Sequence, residues 1–71
     1  MESTYKVIEL VGTSPESWEK AAAVAIGEAR KSLRDLRIAE VAELDINVSE
    51  DGDIIAYRTR LKVSFKYAAD D

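Results

Sequence analysis

Glu43, Asp45 and Asn47 alternate along a strand-like run, which brings two carboxylates and an amide oxygen into line on one face. Hard oxygens set out in that way suit a cation such as calcium, which takes about six to eight oxygens from carboxylates, amides, backbone and water. The same two carboxylates have a second use, because a hairpin places Asp45 opposite Arg58 and Glu43 opposite Arg60, and each such cross-strand pair contributes about 0.2–1 kcal/mol. Another acidic group, Glu50, Asp51 and Asp53, surrounds Gly52. It reads as a solvated turn, since three acidic positions do not make a helix–loop–helix calcium loop.

Composition narrows the chemistry further. The chain has no cysteine and no histidine, which removes disulfides, thiolate chemistry and zinc sites of the usual type. General acid–base work would fall to carboxylates, Lys or Tyr, and none stands in an isolated apolar setting that would tune it, so an enzyme is not expected. A count of 14 acidic against 10 basic residues leaves −4, which argues against nucleic acid and mildly for cations. Met1-Glu2-Ser3-Thr4 lacks the features of a signal peptide and no apolar run approaches the length of a membrane span, so a cytoplasmic location is expected and no membrane partner.

The elements that must hold these residues can be read in order. Tyr5 to Val11 is rich in β-branched residues and predicts a strand ending at Gly12. Thr13 and Ser14 are good N-caps, Pro15 suits a first turn, and Glu16 completes a capping box with Thr13. From there Trp18, Ala21, Ala22, Ala25, Ile26, Ala29, Leu33 and Leu36 draw one apolar stripe, predicting a helix of about six turns. The stripe is mostly alanine, which lets a helix lie close to a sheet, and Gly27 suggests a backbone passing nearby. Trp18 reads as core.

Arg37 to Tyr67 then forms two strand-like runs hinged on Ser49-Glu50-Asp51-Gly52-Asp53. With Asp51-Gly52 as a two-residue turn, Val48 faces Ile55, Ile46 faces Tyr57, Leu44 faces Thr59 and Ala42 faces Leu61, while the charged pairs fall on the opposite side. Glu40 breaks the pattern by facing Val63, and a bulge near Ala39 to Val41 would turn it outward. The result is an α+β chain, residues 1–71 as one domain, with a three-stranded largely antiparallel sheet against one long helix. The last strand spans on the order of 40 Å with a lone helix to cover it, so closure by copies of the same chain is expected.

Taken together, Tyr5 to Ser14 with its Val11-Gly12-Thr13-Ser14 ending, the alanine-rich helix, Ala39-Glu40-Val41 and Leu61-Lys62-Val63-Ser64-Phe65 resemble the dodecins, over almost the whole chain. The resemblance implies a β-α-β-β protomer whose sheet wraps the helix, a hollow homododecamer of tetrahedral symmetry, and storage or buffering, commonly of flavins, without catalysis. Flavin-binding dodecins carry a stacking tryptophan where this chain has Ile38, and a glutamine on the ring edge where it has Arg58. Both signature positions are substituted, which removes a stack worth about 1–3 kcal/mol and leaves a ring edge unpaired at a similar cost.

Thr13-Ser14-Pro15 through Ser17-Trp18, Arg37 and Val41 to Val48 are similar to a branch of the family, the calcium dodecins, that lacks the flavin signature. Twelve chains at −4 make a shell of about −48, and such a shell gains by taking up cations. Calcium, held by Glu43, Asp45 and Asn47, is therefore preferred to flavin as the cofactor. Glu16 lies near where some dodecins hold a cation jointly with the position of Glu43, although helix capping also explains it. Storage of a flavin (FMN, FAD or riboflavin) or of coenzyme A, and a structural assembly with incidental ions, are the alternatives. The basic stripe Arg58, Arg60, Lys62 and Lys66 would serve the phosphates of a nucleotide, although half of it is matched by carboxylates, and the Gly12-Thr13-Ser14 amides at the helix start could hold a phosphate, although the capping box explains that segment better.

Overall fold

A computed structural model describes residues 2–66, in which β1 (Tyr5–Ser14), α1 (Trp18–Ser32), β2 (Leu36–Val48) and β3 (Ile54–Lys66) follow one another. The sheet order is β1-β3-β2 and both pairings are antiparallel, so the longest alternating run takes the centre. The β-α-β-β order and the α+β class are those expected. Tyr67, the expected end of the last strand, and the acidic Asp70-Asp71 lie outside the described residues.

The helix start differs from expectation. Thr13 and Ser14 belong to β1, which runs on past Gly12, and Ser17 is the N-cap, its hydroxyl accepting from the Lys20 amide at 3.0 Å. Ser14 Oγ accepts instead from the Glu16 amide at 3.0 Å, so the capping box on Thr13 does not form. The chain turns between strand and helix over three residues that include Pro15, and the cap falls on the last serine before Trp18. At the other end, Leu33 closes the helix with its amide on the Ala29 carbonyl at 2.9 Å, and Asp35 follows at φ 59°. That left-handed residue redirects the chain, and Leu36 enters β2 rather than extending the helix. The helix therefore has 15 residues, about four turns.

The close backbone approach inferred from a glycine exists, but at Gly12. A Cβ there would collide with the Ala21 carbonyl oxygen, whereas one at Gly27 would meet nothing within 4 Å. Small residues on both sides, Gly12 on β1 and Ala21 and Ala25 on α1, allow the helix to lie against the sheet.

The hairpin register is the expected one in its middle and differs at its ends. Leu44 faces Thr59, Asp45 faces Arg58, Ile46 faces Tyr57 and Glu43 faces Arg60. The loop is longer than two residues: the Ser49 carbonyl accepts from Gly52, the Ser49 amide donates to Asp53, and Gly52 takes φ 90°. Val48 consequently faces Ile54, not Ile55, and Ile55 is left as an extra residue whose bulge restores the register further in. A second bulge leaves Ala42 unpaired, so Val41 rather than Ala42 faces Leu61, and Glu40 faces Lys62 rather than Val63. The bulge that turns Glu40 outward thus lies one residue beyond the segment Ala39 to Val41. A third irregularity, at Arg37, opens the strand.

Burial is concentrated where helix meets β3. Ala21, Ala25 and Ala29 of α1 and Thr59, Leu61 and Val63 of β3 are buried, with Ile8, Leu10, Ala22, Ile26 and Leu36 packed around them. Thr59 satisfies its hydroxyl by donating to the Trp18 carbonyl at 2.9 Å. The protomer measures 53 × 20 × 15 Å with a radius of gyration of 14.7 Å. A compact domain of this length would have about 11 Å.

Candidate functional site

Residues Thr59, Leu61 and Val63 of β3 turn toward the helix, so Arg58, Arg60 and Lys62, alternating with them, stand on the opposite, open face of the sheet. The Ala42 bulge keeps β2 in phase with this alternation by placing Glu40, Glu43, Asp45 and Asn47 on the same side. From β1, Glu9 faces Lys62 and completes the row. The open face is therefore charged, with basic residues along the central strand and acidic residues flanking them.

Two arginines organise it. Arg58 grips Asp45 with both arms of its fork, Nε donating to Oδ1 at 2.7 Å and Nη2 to Oδ2 at 3.4 Å. The hydrogen bond that Arg58 donates to Asp45 first, and the charge of Asp45 second, hold the Arg58 guanidinium above its ordinary pKa, against an opposing desolvation. Arg60 is shared between strands: Nε donates to Glu43 Oε1 at 3.0 Å and Nη1 lies 3.7 Å from Glu9 Oε1. All five side chains remain between a third and two-thirds exposed, so each pair is modest in energy, and what they chiefly do is fix which residues face which.

The proposed cation ligands are only partly assembled within one chain. Glu43, Asp45 and Asn47 share the open face, with Asn47 opposite Ala56 at the hairpin's far end. Glu16 stands apart at the helix entry, its carboxylate 3.8 Å from Lys20 Nζ. Among the described residues no three carboxylates converge. The donor chemistry fits calcium, yet two carboxylates and one amide supply at most about five oxygens against the six to eight required, so waters or a second copy must complete the shell. Glu50, Asp51 and Asp53 are exposed around the Gly52 turn. Because Gly12-Thr13-Ser14 lies within a strand, that segment does not offer a helix N-terminus to an anion.

The flavin-signature positions are also separated. Ile38 faces Ser64 and is 65 % exposed, while Arg58 lies six residues along β3, a distance of about 20 Å. One ring can touch both only if they come from different copies.

Trp18 has a connection that its place on the apolar stripe did not announce. Its indole Nε1 donates to the Asp45 backbone carbonyl at 3.0 Å, and its ring meets Tyr57 edge-on at 5.1 Å between centroids. The helix start is thereby tied to the strand that carries the acidic row. The only signal in the sequence was the indole N–H itself, which seeks an acceptor when half-buried.

Comparison with known proteins places this geometry in context. The profile described as Dodecin matches residues 4–68. A Mycobacterium tuberculosis protein named calcium dodecin is 55% identical over 64 residues, covering 90% of this chain and 89% of that protein. The dodecin of Thermus thermophilus is 42% identical over 66 residues, covering 93% and 94%. In three dimensions, the crystal structure of the Mycobacterium tuberculosis calcium dodecin, described as calcium-chelating with a novel calcium-binding site, superposes with a TM-score of 0.83 at 51% identity, covering 97% of each chain.

Proposed function

The chain belongs to the dodecin family, and from that premise we propose that it is a non-enzymatic, homododecameric binding and sequestration protein whose ligand is a cation, calcium first, rather than a flavin. The observation that carries this reading is Arg58. It stands where flavin-binding dodecins present a glutamine to the ring edge, and it is committed to Asp45 by two hydrogen bonds. Ile38, in the place of the stacking tryptophan, offers no aromatic plane. The relative named calcium dodecin supports the choice of ion.

Glu43, Asp45 and Asn47 would supply the oxygens from one strand, with Glu16 of the same or another copy as a further ligand. Assembly is supported by the apolar surface one chain leaves bare, including Leu44, Val48, Ile54 and Ile55. No helix among the described residues is long and apolar enough to cross a membrane, and the cytoplasm is the location we propose.

A second reading, storage of a flavin or coenzyme A, draws on the 42% identity to the Thermus thermophilus dodecin and on Lys62, which has no ion-pair partner within reach among the described residues. Native mass spectrometry of freshly purified protein, metals and small molecules retained, separates the two. A twelve-chain mass carrying calcium, from a colourless preparation, is the expected result; a bound nucleotide or a yellow preparation sinks the cation reading. Thermal unfolding in calcium and in chelator adds the remaining alternative, since a purely structural assembly melts alike in both.

A further inference from the structure

The open face carries four carboxylates, Glu9, Glu40, Glu43 and Asp45, and four cationic side chains, Arg58, Arg60, Lys62 and Lys66. Its net charge is therefore zero, although the chain as a whole is acidic. A cation approaching Glu43 and Asp45 meets no local excess of negative charge. It meets two carboxylates already occupied by guanidinium groups. On this basis, and resting on the calcium reading above, we infer that Arg58 and Arg60 are built-in counter-ions that compete with calcium for Asp45 and Glu43, so that loading the site requires their displacement.

Geometry supports competition over mere proximity. Cross-strand pairing holds each arginine directly opposite its acid, so the guanidinium is present at high effective concentration whether or not an ion is bound. Arg58 occupies both oxygens of Asp45, at 2.7 and 3.4 Å, leaving no carboxylate edge free for bidentate coordination. Arg60 spans two acids from different strands, so releasing it frees Glu43 and Glu9 together. Both arginine side chains are more than a third exposed, and they can swing into water without uncovering the core. Such a device favours a divalent ion over a monovalent one, because only the former brings more charge to the carboxylate than the guanidinium it replaces.

Calorimetric titration of calcium into the assembled protein tests this, comparing the native chain with Arg58→Gln, Arg60→Gln and Lys31→Gln. Lys31 pairs with Glu28 on the helix, so its replacement makes the same change in net charge away from the open face. The expected result is affinity raised about tenfold in Arg58→Gln and Arg60→Gln, from removal of a unit charge within contact of the ion, and changed by less than about twofold in Lys31→Gln. Adding Asp45→Asn to Arg58→Gln is expected to cancel the gain. The sole tryptophan gives an independent optical signal, since Trp18 is bonded to the carbonyl of Asp45 itself.

If the native chain binds calcium and Arg58→Gln binds it no better than Lys31→Gln, the competition is disproved and the calcium reading survives. Weaker binding in Arg58→Gln overturns it too, making Arg58 a positioning residue for Asp45. No binding by any variant removes both inferences. Should Arg58→Gln fail to assemble by light scattering, Arg58→Lys keeps the charge and loses the two-point grip; an increase of about threefold is then expected, and unchanged affinity rejects the idea.

Discussion

Along β3, Thr59, Leu61 and Val63 are each 1 % exposed, while Ile54 and Ile55, only a few residues earlier on the same strand, are 53 % and 51 % exposed. Both stretches are rich in apolar and β-branched side chains, so composition is not what separates them. The difference is cover. A helix of 15 residues reaches about 22 Å, against about 43 Å for a strand of 13 residues, and α1 is spent on the inner half. Leu44, Ile46 and Val48 of β2 share the exposed end with Ile54 and Ile55. One part of the sheet is thus a folded core and the other an interface without its partner, and an apolar patch of that kind marks an association surface.

Charging the bare end is expected to have the largest effect. With Val48→Asp and Ile55→Asp together, the assembly is expected to be lost, and with it the fold at micromolar concentration, since one helix covers only the inner half of the sheet and a core this small has little stability of its own. Light scattering and circular dichroism read the two consequences. An intact oligomer would place the hairpin end in solvent, and a folded monomer would show that the covered half stands alone; either outcome defeats the contrast.

The covered half has its own point of failure. Gly12→Ala is expected to cost about 2 kcal/mol, because the added methyl collides with the Ala21 carbonyl, a backbone atom that cannot step aside without lifting the helix. Gly27→Ala, on the same helix but facing open space within the protomer, is expected to gain up to about 1 kcal/mol of helix propensity. Thermal melts of the two variants at equal protein concentration should move in opposite directions. A tolerated Gly12→Ala would mean the helix does not lie as close as described; a costly Gly27→Ala would reveal a neighbouring copy against that face.

These glycines show how far the sequence could be read. Alternation of period two made the hairpin and its charged pairs legible, because Asp45–Arg58 and Glu43–Arg60 can form in one phase only. Two local features compensated for each other and hid themselves: the hairpin loop is one residue longer than expected, and the Ile55 bulge takes that residue back. The helix start was not legible, since Thr13, Ser14 and Ser17 all have capping side chains and only packing of Gly12 against Ala21 decides that the strand continues to Ser14. For the same reason the sequence points to the glycine inside the helix, whereas the close contact belongs to Gly12 on the strand opposite it. The acidic row was visible as Glu43, Asp45 and Asn47, yet what Trp18 does for it was not, because its partner is a backbone carbonyl 27 residues away and backbone atoms leave no mark in side-chain pattern.

The two ends of the hairpin also differ in how each turns the chain, and this gives the finest test. Gly52 at the bare end and Asp35 at the entry to the covered end both take the left-handed conformation, φ 90° and φ 59°. Only glycine adopts that region freely, while Asp tolerates it better than most residues through local hydrogen bonding. Gly52→Ala is therefore expected to lower stability by about 1 kcal/mol. Asp35→Gly relieves a smaller strain and gives back part of the gain as unfolded-chain entropy, leaving a rise of about 0.5 kcal/mol or less. Denaturant melts that show Asp35→Gly to be destabilising would mean that its carboxylate, 3.9 Å from Arg37, contributes more than the backbone strain costs. In that case the covered end is held by its charges as well as by its helix, and the two halves of the sheet are more alike than their burial suggests.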